Sequence, residues 1–331
     1  VKNILVTGGL GFVGSHLIDQ LLLEQSNVVV VDNLQSNVVP PSHFEGRCVV
    51  ISESLEQAAG KLSVNAGTKF DEIYHLASVV GPAGVLQYAG DIAHSIIATE
   101  KVTTELALEH GARLILASTS EVYGQTGTLN EDLNCIVPSN FTVRLEYAAA
   151  KLTSEIASLN KAKVTNLFVN VVRPFNIAGP RQLPDGGFVL PRFIAAALAG
   201  RPLTVFGDGT QVRAFTDVRD IVSGLLCMMR GENSGLILNL GNPANEIAIR
   251  KLAEEVIRLS GSNSTIDLVD PKQLFGPLYE EGIERVPDVS KALATLPWKP
   301  KYSLEQTILD TLEFYRARPH LLEGALLQTL A

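Results

Sequence analysis

The sequence predicts an α/β protein built on a doubly wound parallel sheet, with a smaller α/β lobe toward the C-terminus. Two observations carry this. Short apolar, β-branched runs alternate with helical stretches through the first half of the chain, and the runs are apolar on both faces, as strands covered by helices on either side must be. The first of these runs ends in a glycine-rich turn that leads straight into a helical pattern. The bulk composition agrees, since 331 residues that are 46% hydrophobic and 19% charged suffice for one large domain with a lobe attached.

The elements come in a regular order. Residues 2–7 form an apolar run that stops at Gly8 and Gly9, 12–24 carry apolar side chains at helical spacing, and 27–31 is a β-branched run ending at Asp32. Further strand-like runs lie at 47–51, 72–76, 113–117 and 167–172, and the clearest helices between them are 92–110 and 146–160. From about Gly179 the texture changes. Pro180, Pro184, Asp185, Gly186 and Gly187 make a loop, 189–199 reads as a helix and 203–206 as a strand, and short elements continue to Leu312. These shifts divide the chain into a sheet domain over 1–178, with later segments interleaving, and a lobe mainly over 179–331.

Composition excludes several function classes. A formal net charge of −8 without any basic run argues against nucleic acid or an anionic membrane as the main partner. Anionic small molecules stay open, because a few placed arginines hold a diphosphate on an acidic protein. Cys48, Cys135 and Cys227 are widely spaced with no CxxC pair, so neither a disulfide frame nor a metal site is expected. No apolar run is long enough to span a bilayer, and the chain opens directly into a strand pattern, so a cytoplasmic protein is expected.

Three motifs carry chemistry. Gly8, Gly11 and Gly14 form GxxGxxG between the first strand and the first helix. Glycines there permit a tight turn and a close approach of backbone to pyrophosphate, which then meets the helix N-terminus. Asp32 ends the second strand, where a carboxylate accepts hydrogen bonds from an adenosine ribose and disfavours a 2′-phosphate. A structural glycine turn would explain the spacing alone, but not its place in a βαβ unit that leads to Asp32. This is the signature of a Rossmann-type sheet that binds NAD. Tyr147 and Lys151 stand four residues apart on one helical face, so the ammonium stabilises phenolate and the phenol can take a hydroxyl proton while hydride leaves the same carbon. Ser118-Thr119-Ser120-Glu121-Val122-Tyr123-Gly124 lies at the carboxyl end of the 113–117 strand, where ligands of such sheets bind. Thr119 or Ser120 would bond the oxygen that becomes a ketone. Glu121 offers a second acid/base, which elimination or decarboxylation needs and simple 4-epimerisation does not; its alternative is a cap on the next turn.

In this order Gly8–Gly14, His75-Leu76-Ala77, Ser118–Gly124, Tyr147/Lys151 and Arg173-Pro174-Phe175-Asn176 resemble the extended short-chain dehydrogenases that act as nucleotide-sugar epimerases, dehydratases and decarboxylases. The resemblance covers nearly the whole chain. Within that family it is most similar to the UDP-glucuronate decarboxylases. These include the decarboxylase domain of the bifunctional enzyme of 4-amino-arabinose synthesis for lipid A, and the related UDP-apiose/UDP-xylose synthases. Thr119–Gly124 resembles their TSEVYG, residues 213–220 their RxFTDxRD and residues 239–246 their NxGNPxNE, while Arg285-Val-Pro287-Asp288 and Trp298-Lys-Pro300-Lys301 fit the closing segment.

The resemblance implies NAD contacts at Phe12, Val13, Asn33, Leu76, Ala77 and Pro174 besides the glycines, Asp32, Tyr147 and Lys151. It implies substrate contacts at Asn176, Arg213 and Arg285, with Val189 and Arg192 near uracil. A C2 homodimer through helices 92–110 and 146–160 is also implied. The sequence departs from the pattern at Arg144-Leu145-Glu146, where relatives often carry an aromatic, at Ser52-Glu53-Ser54 in place of Gly-Asp-Ile, and around Ser95, where an asparagine is common. The expected reaction is oxidation at C4 of UDP-glucuronate and then decarboxylation, with no metal. A UDP-sugar 4-epimerase and a 4,6- or 5,6-dehydratase are the alternatives. A non-catalytic NAD sensor is disfavoured by the intact Tyr147/Lys151 pair.

Overall fold

The computed structural model describes residues 1–139, 141–270 and 284–322. β1 (Asn3–Thr7) leads through the glycine turn into α1 (Phe12–Leu23). Next come β2 (Asn27–Val31), β3 (Val49–Ile51), α2 (Leu55–Leu62), β4 (Glu72–His75), α3 (Pro82–Gln87), α4 (Ile92–His110) and β5 (Arg113–Ala117). After β6 (Gly127–Leu129), the long α5 (Val143–Val164) returns the chain to β7 (Phe168–Pro174). The second half carries β8 (Ile177–Ala178), α6 (Val189–Leu198), β9 (Leu203–Phe206), β10 (Val212–Ala214), β11 (Thr216–Asp217), α7 (Val218–Arg230) and β12 (Ile237–Leu240). It ends with β13 (Glu246–Ala248), α8 (Ile249–Ser260), β14 (Ile266–Val269), β15 (Glu284–Pro287), α9 (Ser290–Thr295) and α10 (Leu304–Arg316).

Seven strands form one parallel sheet in the order β12-β7-β5-β4-β1-β2-β3. Strand alternation sends Ile4 and Val6 to one face, where α1, α7 and Trp298 cover them, and Leu5 to the other, where Leu55, Leu62 and Leu106 lie. Both faces are therefore dry, which is why the strands read as continuous apolar runs. A separate apolar cluster gathers Phe193 and Ile194 of α6, Leu252 and Val256 of α8, and Ile308 and Leu312 of α10 beneath the smaller β-pairs. The segments after 178 interleave: β12 extends the large sheet and α7 lies on its face, while α6, α8 and α10 form the lobe. Residues 271–283 and 323–331 of the expected lobe lie outside the described residues. No described helix is long and apolar enough to cross a membrane.

Boundaries move for local reasons. The helix expected at 146–160 runs from Val143 to Val164, because Thr142 caps it by accepting the Leu145 N–H at 3.2 Å. The strand expected from 47 begins at Val49, because the Arg47 and Cys48 N–H groups are taken by the Phe44 carbonyl.

α10 is fixed to the sheet domain through Asp217. Its side chain is fully buried, caps α7 through the Arg219 N–H (2.9 Å), pairs with the Arg219 guanidinium and accepts the Thr307 hydroxyl (2.9 Å). Asp217→Ala removes the cap and orphans buried donors, so a loss of about 2–4 kcal/mol is expected in urea unfolding. A loss below about 0.5 kcal/mol would mean that α10 docks without it.

Candidate active site

The carboxyl ends of β1, β2, β4, β5 and β7 open into one cleft of about 1740 Å³. The glycines work at its floor. Gly8 sits at φ +68°, and a Cβ there would come within 2.7 Å of the Ala77 backbone. A Cβ on Gly14 would overlap the Gly8 carbonyl and come within 2.7 Å of the Gly9 Cα. No side chain caps α1, whose N-cap is Gly11, so its first N–H groups are left for an anionic group in the cleft. Asp32 is 7% exposed, and accepts the Leu10 and Leu34 N–H groups, each at 2.9 Å. Burial raises its pKa against the pull of those two bonds. Its carboxylate therefore fixes the glycine loop as well as facing the cleft. Leu76, Ala77 and Pro174 border the same floor, with Phe12, Val13 and Asn33. This cradle, unfilled by any Cβ and walled by a buried carboxylate, fits a dinucleotide with a free 2′-hydroxyl.

Above it lies the Tyr147/Lys151 face of α5. Tyr147 is buried and its hydroxyl bonds to Thr119. Burial drives its pKa well above the ordinary phenol value; Thr119 opposes this and the Glu121 charge adds to it. Lys151 donates to the Ala117 carbonyl at 2.9 Å. Burial lowers its pKa to about 8, with Glu155 pulling the other way. A cation placed there is what a neutral, buried phenol needs in order to give up its proton.

Glu121 stands in the turn after β5. Arg144 grips it with two bonds of 2.9 Å, and Arg285 donates to one of the same oxygens. Burial alone would raise its pKa, but Arg285 and then Arg144 overcome this and hold it at about 2. The residue expected to serve as acid or base is thus a fixed anion. Ser120 is buried beside it. Arg285, expected on the substrate, donates to Glu121. Farther out, Arg192 bonds the Thr204 carbonyl at 2.9 Å and lies over Phe206, and Arg213 bonds the Val212 carbonyl at 2.8 Å. Asn176, at φ +33°, donates to the Ala214 carbonyl at 3.2 Å.

Every catalytic, cofactor and substrate residue expected from the sequence lines this one cleft, Val189 at the start of α6 included. Others on its wall carried no motif: Ser78, Gln182, Phe188, Thr204, Phe206 and Gln211. The departures acquire reasons. Arg144 holds Glu121 from one turn before Tyr147. Glu146 caps the start of α4 by accepting the Gly90 and Ala93 N–H groups (2.8 and 3.1 Å), since the Asp91 side chain does not. Ser54 forms a capping box with Gln57 at α2 and also lines the cleft, as do Glu53 and Ser95.

Residues 4–241 match the NAD dependent epimerase/dehydratase family. UDP-glucuronic acid decarboxylase 4 of Arabidopsis thaliana is 36% identical over 96% of this chain and 69% of its own. UDP-N-acetyl-alpha-D-glucosaminuronate decarboxylase of Bacillus cytotoxicus is 33% identical over 95% of this chain and 98% of its own. Among solved structures, UDP-glucuronic acid 4-epimerase of Bacillus cereus, in complex with UDP-glucuronic acid and NAD, superposes with a TM-score of 0.80. It shares 26% identity over 95% of this chain and 99% of that one.

Asp32 yields a cofactor prediction. Calorimetric titration is expected to show NAD binding at least about tenfold tighter than NADP, since the carboxylate repels a 2′-phosphate. Equal affinities would remove Asp32 as the selecting group.

Proposed function

This chain belongs to the NAD dependent epimerase/dehydratase family, and we propose that it oxidises C4 of UDP-glucuronate and releases the sugar carboxyl as CO₂. One observation carries this reading. Two guanidiniums, Arg144 and Arg285, converge on the carboxylate of Glu121 in the cleft that holds Tyr147. Guanidiniums set beside the reacting centre suit a sugar that carries a C5 carboxylate better than a neutral hexose. The two decarboxylase relatives, both named for UDP-linked uronates, support it.

NAD, when bound, supplies the hydride acceptor. Tyr147 takes the proton of the C4 hydroxyl, and the Lys151 ammonium lowers the cost of the phenolate. Thr119 donates to the same oxygen. Once C4 is a ketone, the carboxylate is β to it. The bond to the carboxyl carbon breaks and its electron pair moves to the C4 oxygen, where Thr119 and Tyr147 hold it. Glu121, ionised throughout, keeps Arg285 and Arg144 in place and with Ser120 orders the water that returns a proton to C5. Asn176, Arg213 and the start of α6 around Val189 and Arg192 receive the nucleotide.

The second reading, 4-epimerisation of the same UDP-uronate, is favoured by the likeness to the Bacillus cereus epimerase. Incubation with NAD and UDP-glucuronate separates the two. Release of CO₂ is expected, with a UDP-4-keto-pentose and one NADH per CO₂, or with a UDP-pentose where the hydride returns to C4; a UDP-hexuronate epimer without CO₂ selects the second reading, and no turnover of either kind defeats both. Variants resolve the steps. Tyr147→Phe is expected to lose oxidation by about 10²–10⁴-fold. Glu121→Gln is expected to keep oxidation while the return of a proton to C5 slows, so that turnover falls by about tenfold or more and a decarboxylated 4-keto intermediate accumulates. Turnover of Glu121→Gln within a few-fold of the parent would make Glu121 a structural group only.

We also propose a C2 homodimer through α4 and α5. The two helices pack on each other yet leave Ile97 at 41% and Ile156 at 52% exposed on their outer sides. Light scattering at micromolar concentration should give twice the chain mass; a monomer would rule this out.

A further inference from the structure

Behind the Tyr147/Lys151 face lies a second charged group that no substrate reaches. One turn beyond Lys151 on α5, Glu155 is 1% exposed and receives the Arg173 guanidinium through two bonds, 3.0 Å from Nε and 2.6 Å from Nη2. The Ser118 hydroxyl donates to it as well. Ser118 directly succeeds Ala117, whose carbonyl accepts from Lys151. Two successive residues at the end of β5 are thus tied to two successive turns of α5.

A buried ion pair is a poor device for stability, since apolar residues of the same volume commonly serve as well or better. Its position therefore needs another reason. Arg173 comes from β7, is buried and lies over the Tyr123 ring at 4.8 Å. We propose that Glu155, fixed in place by Arg173 and Ser118, is a positioning residue that keeps Lys151 protonated and aimed at the end of β5. The proposal rests on the reading of Tyr147 and Lys151 as base and cation, and is independent of which sugar is bound.

Among the described residues, the remaining charges around Lys151 cannot supply this. On α5 itself stands Tyr147, which is neutral at rest. His75 on β4 is buried, and burial, then the nearby Lys151 charge, lowers its pKa to about 3, so it too is neutral. Arg173 on β7 opposes a second cation. Glu100 on α4 is taken up by Thr104 of α4 and Ser158 of α5, and Glu121, beyond Tyr147, acts on that phenol rather than on Lys151. α3 carries no titratable side chain. Glu155 is the negative charge that counters the desolvation of Lys151.

The test compares the parent with Glu155→Leu/Arg173→Met, which keeps the volume packed, and with Glu155→Asp, which keeps the charge. The Lys151 ε-carbon resonance is titrated in isotopically labelled protein, assigned through Lys151→Met, so that no substrate is needed. In the parent it should stay charged at pH 7 and titrate at about 8. In the double variant the midpoint should fall by about one unit or more, and Glu155→Asp should restore most of it. Turnover should track it: the alkaline limb moves down by about one pH unit, costing about fivefold at pH 8 and under about twofold at pH 6. An unchanged Lys151 midpoint in the folded double variant overturns the proposal. So does a parental Lys151 already neutral at pH 7, which requires no variant at all. A shifted midpoint with an unmoved turnover profile would instead defeat the assignment of Lys151 as the working cation.

Discussion

Parallel register is the constraint on which the rest of the molecule depends. Thr7 of β1 pairs with His75 of β4, His75 with Leu116 of β5, and Leu116 with Val171 of β7. Four strands therefore end almost level, and the segment after each is delivered to one edge: the glycine turn, Leu76–Ala77, the Ser118–Glu121 turn and Pro174–Asn176. No loop has to reach far. Glu121, delivered to this edge, meets Arg285 from 164 positions away, which β15 presents from a second sheet where it pairs with β6 and β10.

Much of this could be read from the chain alone, and the reason is local. Gly8, Gly11, Gly14 and Asp32 lie within one βαβ unit, and Tyr147 and Lys151 on one helix, so their geometry is implied by a secondary structure of known pitch. The features that escaped the reading involve partners that meet only in three dimensions. Arg144 reaches Glu121 across 23 positions, Arg285 reaches it across 164, and Arg173 reaches Glu155 from the next strand. Read singly, Glu121 is a free carboxylate at a strand end, which suggests an acid; with two guanidiniums around it, it is an anchor. Arg144 left a trace as a departure just before Tyr147, and Arg285 one as an expected substrate contact, but neither pointed to Glu121.

The motif over residues 213–220 shows the same division. Arg213 borders the cleft, whereas Asp217, Arg219 and Asp220 are engaged away from it. Asp220 accepts the Lys301 and Tyr302 N–H groups, and Trp298 donates to the Asp220 carbonyl. Arg219 lies over the Tyr302 ring at 3.7 Å and reaches Asp310. One short stretch thus sets a wall of the cleft and fastens the last helix, so a motif near a ligand site need not serve the ligand at every position.

The place of β12 has a consequence for biosynthesis. This strand pairs with β7 and is made only after the α6 and β9 region of the lobe, and α7, which covers Ile115 and Val172 on one face, is likewise late. While the ribosome is still adding residues up to Leu240, β7 is an open edge and the apolar face beside it is bare. The nascent chain has to hold that surface without partners until the missing strand emerges, so the sheet closes only after much of the lobe has left the tunnel. The same arrangement denies any cut near residue 178 a self-sufficient product, because each piece would keep half of an interface that belongs to the other.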